Sequence, residues 1–448
     1  MIYNLQIMST IKFLGASGTV TGSCYVICSD SGTQIMIDCG MFQGSHYLTK
    51  LNYETIDIDI LKLDGIILTH AHLDHSGRLP LLVKNGYKGP IYATEATIDL
   101  TNLVLLDTAK IAKENRDRSP LYSETDAEFT VQAMKPVAYH QEVKIKDITI
   151  IFRDAGHIMG SSSIEIYMEG KKVVFSGDLG NYPEDLLAPT EMIDRADTVV
   201  MEATYGDRIH SSQDIRQILT NEISAVERTN GTLLIPAFSI ERTQELLHIL
   251  DHLKRERQIL PETLVYLDSP MAIKATEIYK KYRSLYSKEL QQHVTTDDPF
   301  DFPSLHLVTH AEESRNIWQT AGAKVIIAGS GMLNGGRIVR HLQNYLPMPI
   351  TRLLFVGFQA QDTLGFRLMA KPKIIKIHGQ TIEVRATINK CSSLSAHADQ
   401  PKLLRWLNAM SGVKQIFLVH AEDKSREVFA KLINGAVLPK LHDVRNLF

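Results

Sequence analysis

The sequence of 448 residues predicts an α/β protein built from two folding units, and three observations carry that prediction. Short, β-branched apolar segments separated by turns fill the first half. From about residue 208 strands and helices alternate, the pattern of a parallel sheet covered on both faces. The closing stretch, 391–448, reads as helix, strand, helix, too short to fold alone, and is expected to complete a sheet begun at the N-terminus. The length itself allows two to four domains of roughly 100–200 residues.

The elements follow in order. Strands are expected at 11–14, 24–28, 34–37 and 65–69, each bounded by Gly, Ser or Asp. An apolar period from Glu95 to about Arg116 predicts a helix. Strands then recur at 148–152, 163–167, 173–176 and 198–201. The alternating block runs helix 214–228, strand 232–236, helix 242–256, strand 263–267 and helix 270–282. It resumes with strand 305–309, helix 312–319, strand 324–328, helix 337–346 and strand 351–356. The stretch 284–304, rich in Asp and Pro, reads as a surface loop. The closing segment carries helix 400–410, strand 415–419 and helix 422–434. The domain limits that result are 1–207, 208–390 and 391–448, the middle block being an insertion.

Composition narrows the function classes. Lys plus Arg is 48 against 51 Asp plus Glu, a net charge of −3, which excludes a globally basic nucleic-acid binder and a polyacidic disordered chain. The average conceals a patch. Arg315–Lys390 holds eleven Lys and Arg against two acids, a net of +9, so the remaining residues carry −12. A local polyanion-binding surface is the expectation. Cys24, Cys28, Cys39 and Cys391 are too sparse for a disulfide scaffold, so a reducing cytoplasm is expected. No signal peptide is visible, no apolar run approaches roughly 18 residues, and no membrane partner is expected. Met8 is an alternative start, because strand-like periodicity begins only at Ile11.

The strongest chemical signal is His70-Ala71-His72-Leu73-Asp74-His75, directly after an apolar strand. An extended backbone projects alternate residues the same way, so His70 and His72 can grip one ion. Asp74 and His75 can reach a second as the chain turns into helix. Imidazole nitrogen and carboxylate oxygen suit zinc, with iron and manganese as competitors. More ligands stand at other strand ends: His157 after Gly156, and Asp178 after Gly177. A carboxylate can bridge two metals, and Asp178 is the natural bridge. Asp38, ending strand 34–37, would orient a ligand histidine.

These motifs together resemble the metallo-β-lactamase fold, an αββα sandwich with a di-metal site at one edge of its two sheets. Glu202 in Met201-Glu-Ala-Thr-Tyr-Gly-Asp207, His397 in Ser395-Ala-His-Ala-Asp399 and His420 after 415–419 are similar to the three further motifs of the β-CASP nucleases. The resemblance covers nearly the whole chain, with the β-CASP domain as the insertion. It implies one zinc on His70, His72, His157 and Asp178, and a second on Asp74, His75, Asp178 and His420. It implies a bridging hydroxide that attacks phosphorus, His397 as proton donor or stabiliser of phosphate charge, and Glu202 orienting His397. The chemistry agrees, because phosphodiester hydrolysis needs a strong nucleophile and charge neutralisation at phosphorus. A histidine at the position of His420 marks, in this family, RNA-processing members, so RNA is the expected partner.

Substrate contacts are expected in the basic insertion, with RNA in a cleft between the two domains. Gly329-Ser330-Gly331-Met-Leu-Asn-Gly335-Gly336 follows a strand and precedes the helix that opens at Arg337, where backbone amides can cradle phosphate. It resembles a β-CASP loop. Arg242 and His378 are further candidates for RNA contact. Neither the N-terminal RNA-binding domains of archaeal relatives nor the extra C-terminal domain of some bacterial 5′-exonucleolytic ones is expected, so endonucleolytic action is the expectation, with 5′-to-3′ exonucleolytic action as the alternative. The resemblance also implies a homodimer as one assembly, with no interface assigned.

Overall fold

The computed structural model describes residues 8–114, 119–181, 186–211, 213–294, 298–360, 363–391 and 393–448. The chain divides into two compact units, Met1–Ile209 with His397–Phe448, and His210–Ala396.

The first unit holds two seven-stranded sheets. One runs in the order Val444–Asn446, Thr10–Phe13, Tyr25–Cys28, Gln34–Ile37, Gly65–Ile67, Ile91–Ala93, Met134–Pro136. The other runs Ala436–Val437, Gln415–Val419, Thr198–Glu202, Lys171–Phe175, Ser162–Met168, Ile148–Asp154, Glu142–Ile145. The alternation of strand side chains explains how they stack. Ile11, Phe13, Ile27 and Ile35 of the first sheet form one buried cluster with Ile150, Ile164, Val200 and Phe417 of the second. The opposite faces take helices. Met36, Ile66 and Leu68 pack with Leu79 and Leu82 of helix Leu79–Lys84. Val199, Met201 and Leu418 pack with Leu403, Trp406 and Phe429 of helices Gln400–Asn408 and Asp423–Ala430. This is an αββα sandwich.

The closing segment contributes to both sheets. Gln415–Val419 pairs in parallel with Thr198–Glu202, and Val444–Asn446 pairs antiparallel with Thr10–Lys12.

The second unit is built on a six-stranded sheet in the order Leu305–Leu307, Leu264–Asp268, Lys324–Ala328, Thr232–Pro236, Thr351–Phe355, Thr387–Lys390. Every pairing in it is parallel, so all the carboxyl ends lie along one edge. Its central strands are buried throughout, as a sheet covered on both faces requires.

Some elements differ from expectation. The stretch 284–304 is not simply a loop: it carries a short 3-10 turn, Arg283–Leu285, and helix Lys288–His293, whose first turn is capped by Ser287 accepting from Leu290 N. The expected strand at 305–309 shrinks to Leu305–Leu307 at the sheet edge, and the helix at 312–319 becomes Ala311–Asn316 followed by a 3-10 turn. The long helix spans Glu95–Glu114, and its expected last two residues lie outside the described ones. The hairpin Ile374–Ile377 with Gln380–Glu383 is an addition to the elements expected from sequence. Among the described residues no helix is long and apolar enough to cross a membrane.

Candidate metal centre

The first unit brings six strand ends together. Asp38 follows Gln34–Ile37, His70–His75 follow Gly65–Ile67, His157 follows Ile148–Asp154, Asp178 follows Lys171–Phe175, Glu202 closes Thr198–Glu202 and His420 follows Gln415–Val419. Asp38 and His420 adopt the left-handed region, with φ of 57° and 48°, where a non-glycine residue persists only when its surroundings over-determine it. Two glycines make the close approaches. A Cβ on Gly40 would lie 1.5 Å from the carbonyl oxygen of Asp74, and one on Gly177, at φ 56°, would lie 2.7 Å from that of Ser162.

Asp178 stands at the centre. Its Oδ2 lies 3.4 Å from His70 Nε2, 3.3 Å from His75 Nε2 and 3.6 Å from His157 Nε2. His72 Nδ1 approaches His70 Nε2 at 3.2 Å and His157 Nε2 at 3.1 Å. On the other side His420 Nε2 lies 3.4 Å from Asp74 Oδ2, and His420 Nδ1 lies 3.6 Å from Asp178 Oδ1. Three groups emerge whose potential ligand atoms fall within 4.8 Å of one another: His70, His72, His157 with Asp178; Asp74, His75 with His420; and Asp178, Glu202, His397 with His420. All the sequence-expected ligands therefore converge.

The surrounding hydrogen bonds orient them. Asp38 accepts from Thr69 N and Thr69 Oγ1, each at 2.8 Å, and from His75 Nδ1 at 2.8 Å. That leaves His75 Nε2 turned toward Asp178. The Thr204 hydroxyl donates to the His420 carbonyl at 2.9 Å and lies 3.1 Å from His420 Nδ1. Thr204 thus holds the His420 ring from its Nδ1 side, with Nε2 turned toward Asp74. Nothing in the sequence singles out Thr69 and Thr204, although each neighbours a motif residue.

Whether these residues fit a cation is answered by two atoms. Asp178 Oδ1 and His420 Nε2 are buried without a hydrogen-bond partner. Burying such groups unpaired is costly, and ion coordination is what their chemistry lacks. Nitrogen and carboxylate donors in this number fit divalent metal.

Protonation fits as well. Burial lowers the His70 pKa well below its ordinary value and that of His72 to about 4, so both imidazoles are neutral at neutral pH, the form able to bind a metal ion. Burial opposes ionisation of Asp178, but His420, His75 and other imidazoles outweigh it and hold its pKa well below normal. Burial also opposes charge on His75, but Asp178 and Asp38 prevail and raise its pKa well above normal. An incoming cation would displace that proton.

Glu202 and His397 form a separate pair. Glu202 Oε1 accepts from Leu179 N at 2.6 Å, and Oε2 lies 3.1 Å from His397 Nδ1. Burial lowers the His397 pKa, yet Glu202 and then Asp178 push it up to about 9. Its Nε2 lies 3.9 Å from Asp178 Oδ2.

The candidate RNA contacts lie in the second unit, away from this cluster in sequence and within other networks. Arg242 is buried and ion-paired with Glu245. Arg337 donates from NH1 to Asp268 Oδ1 at 2.7 Å and Val308 O at 2.9 Å, and from NH2 to Thr309 O at 2.7 Å. Both guanidiniums thus have partners inside the unit. His378, at φ 48°, and Gly379, at φ 79°, form the tight turn of a hairpin, the two-residue geometry that needs positive φ at both positions. In the glycine loop, Ser330 N bonds Gly335 O at 3.4 Å and Asn334 N bonds Ser330 Oγ at 3.0 Å. Gly331 is buried, and Gly336 is the last residue before helix Arg337–Tyr345.

Three family models match the chain: the metallo-beta-lactamase superfamily over 17–214, the Beta-Casp domain over 243–368, and the Zn-dependent metallo-hydrolase RNA specificity domain over 381–439. Among curated proteins it is 38% identical to Ribonuclease TTHA0252 of Thermus thermophilus, over 94% of each chain. It is 31% identical to Transcription termination factor FttA of Methanocaldococcus jannaschii, over 94% of this chain and 68% of that one. A crystal structure of a protein of unknown function from Enterococcus faecalis V583 shares the fold, with TM-score 0.56, 13% identity and coverage of 98% and 99%. Fold and site together define a metal-dependent hydrolase of the metallo-β-lactamase class. Within that class the chain belongs to the β-CASP ribonuclease family.

Proposed function

We propose that the protein is a zinc-dependent ribonuclease that hydrolyses RNA phosphodiester bonds, endonucleolytically rather than by 5′-to-3′ exonucleolysis, in the cytoplasm. The observation that carries this reading is the position of Asp178, whose carboxylate approaches His70 and His157 on one side and His75 and His420 on the other, with its Oδ1 left without a hydrogen-bond partner. His70, His72, His157 and Asp178 would hold one ion, and Asp74, His75, Asp178 and His420 the other. Bound there, two divalent ions would supply an activated water and neutralise charge on the scissile phosphate. His397 would give a proton to the leaving oxygen, and Glu202 holds that imidazole by its Nδ1 so that Nε2 faces the reacting group. Asp38 fixes the His75 ring.

Two findings support RNA over DNA or a small ester. One is the name of the relative that matches nearly end to end, and the other is the RNA specificity model over 381–439. All four cysteines are free, which suits a reducing compartment. The test is digestion of matched RNA and DNA oligonucleotides by purified protein, with product mapping on RNAs bearing a 5′-triphosphate, a 5′-monophosphate or only internal sites. Faster DNA cleavage would overturn the substrate. Stepwise release of nucleotides from 5′-monophosphate ends alone would overturn the endonucleolytic mode.

A further inference from the structure

Ligands of parallel α/β sheets collect at the carboxyl ends of the strands. In the second unit three neighbouring strands, Lys324–Ala328, Thr232–Pro236 and Thr351–Phe355, end side by side. The central one delivers Phe238, which is 39% exposed although it follows a wholly buried strand. The two flanking strands deliver glycines against its ring. A Cβ on Gly331 would lie 2.9 Å from ring carbons of Phe238, and one on Gly357 would lie 3.4 Å away. The ring therefore rests on bare backbone and keeps its remaining surface open.

The loop that carries it is held rigidly. Thr243 Oγ1 donates to Phe238 O at 2.7 Å, and the fully buried Gln244 donates from Nε2 to Ser239 O at 3.1 Å. Gln359 Nε2 ties the flanking loops together by donating to Gly331 O at 2.8 Å and Gly357 O at 3.3 Å. The seat buries one side of the ring and leaves the rest of its apolar surface open to a ligand. It is the arrangement of a preformed stacking surface. Every nucleobase offers a π-face, and unpaired bases in single strands stack on such rings.

We propose that Phe238 is a stacking platform for one unpaired base of the bound single-stranded RNA, a positioning role that rests on the ribonuclease reading above. Gly331 and Gly357 serve it by leaving room for the ring. The surface would favour unpaired over duplex RNA with little preference among bases.

The test uses the full chain and single-stranded, phosphorothioate-linked RNA of about twelve nucleotides, a length within the range such surfaces occupy. Binding is read by fluorescence anisotropy, first with the intact strand and then with an abasic site at each position in turn. Phe238→Ala is expected to weaken binding roughly tenfold to a hundredfold, and Phe238→Trp to retain it. Phe238→Leu, which keeps apolar volume without a π-face, should behave like the alanine variant. In the wild type one position should be sensitive to loss of its base, and that sensitivity should vanish in Phe238→Ala. Unchanged affinity, or an abasic profile that survives Phe238→Ala, overturns the platform and leaves the ribonuclease reading standing. Failure of the wild type to bind any of these RNAs overturns both.

Discussion

Glu202 sits beneath His397: its Oε2 is 3.1 Å from His397 Nδ1, and its Oε1 is occupied by the amide of Leu179. The carboxylate is fully buried and the imidazole is not. The pair is therefore a fixed anion holding a histidine that can exchange a proton. Replacing His397 with Ala should lower kcat by roughly 10²–10⁴-fold while RNA affinity stays close to wild type. Single-turnover cleavage and anisotropy measured on the same RNA separate the two, and unchanged cleavage would remove His397 from the mechanism.

The same pair sets a pH dependence. An acid works while protonated, below its pKa. Burial lowers the His397 pKa, and Glu202 is the largest influence raising it, to about 9. Glu202→Gln removes that charge, so the alkaline loss of kcat should begin at lower pH than in the wild type. A pH–rate profile checks this, and an unmoved alkaline limb would show that another group controls it.

Metal content should report how ligands are shared. Asp178 approaches His70 and His157 on one side and His75 and His420 on the other, whereas Asp74 groups with His75 and His420. Asp178→Asn should lose both ions and Asp74→Asn one. Elemental analysis of the purified variants reads this directly, and equal loss in the two would argue against a shared carboxylate.

Asp38 is predicted to be structural as well as orienting. It is 1% exposed and accepts from both Thr69 groups and from His75. Asp38→Ala removes a charge from a buried network and leaves donors unpaired, which costs roughly 3–5 kcal/mol. Thermal or denaturant unfolding should show the loss, in chelator as well as in zinc.

Lys371, Lys373 and Lys376 are exposed and belong to the +9 segment. Changing all three to Gln should flatten the salt dependence of RNA affinity, the slope falling by about 1 for each phosphate left without its cation. Arg337→Ala should instead lower stability, because that guanidinium is committed to Asp268. A salt slope insensitive to the three lysines would place the RNA elsewhere.

Local order was largely legible in the sequence. The parallel block was readable because its central strands are rich in apolar residues and bounded by helical periods. The ligand residues stood out because His70, His72, Asp74 and His75 crowd six positions after a strand, and His157 and Asp178 repeat the strand-end setting. Three-residue strands such as Ile91–Ala93 and Met134–Pro136 carry too little periodicity to be seen alone, and exist through pairing with their neighbours. Only the tertiary structure decided which charge meets which. Glu202 reaches His397 across 195 positions, Arg337 is taken up by Asp268, and Phe238 is left on a seat of two glycines that follow other strands. Periodicity is a property of the chain over a few residues and survives reading in one dimension. Burial, ion pairing and backbone strain at Asp38 or His420 arise from contacts between distant segments and come into being only when the sheets close.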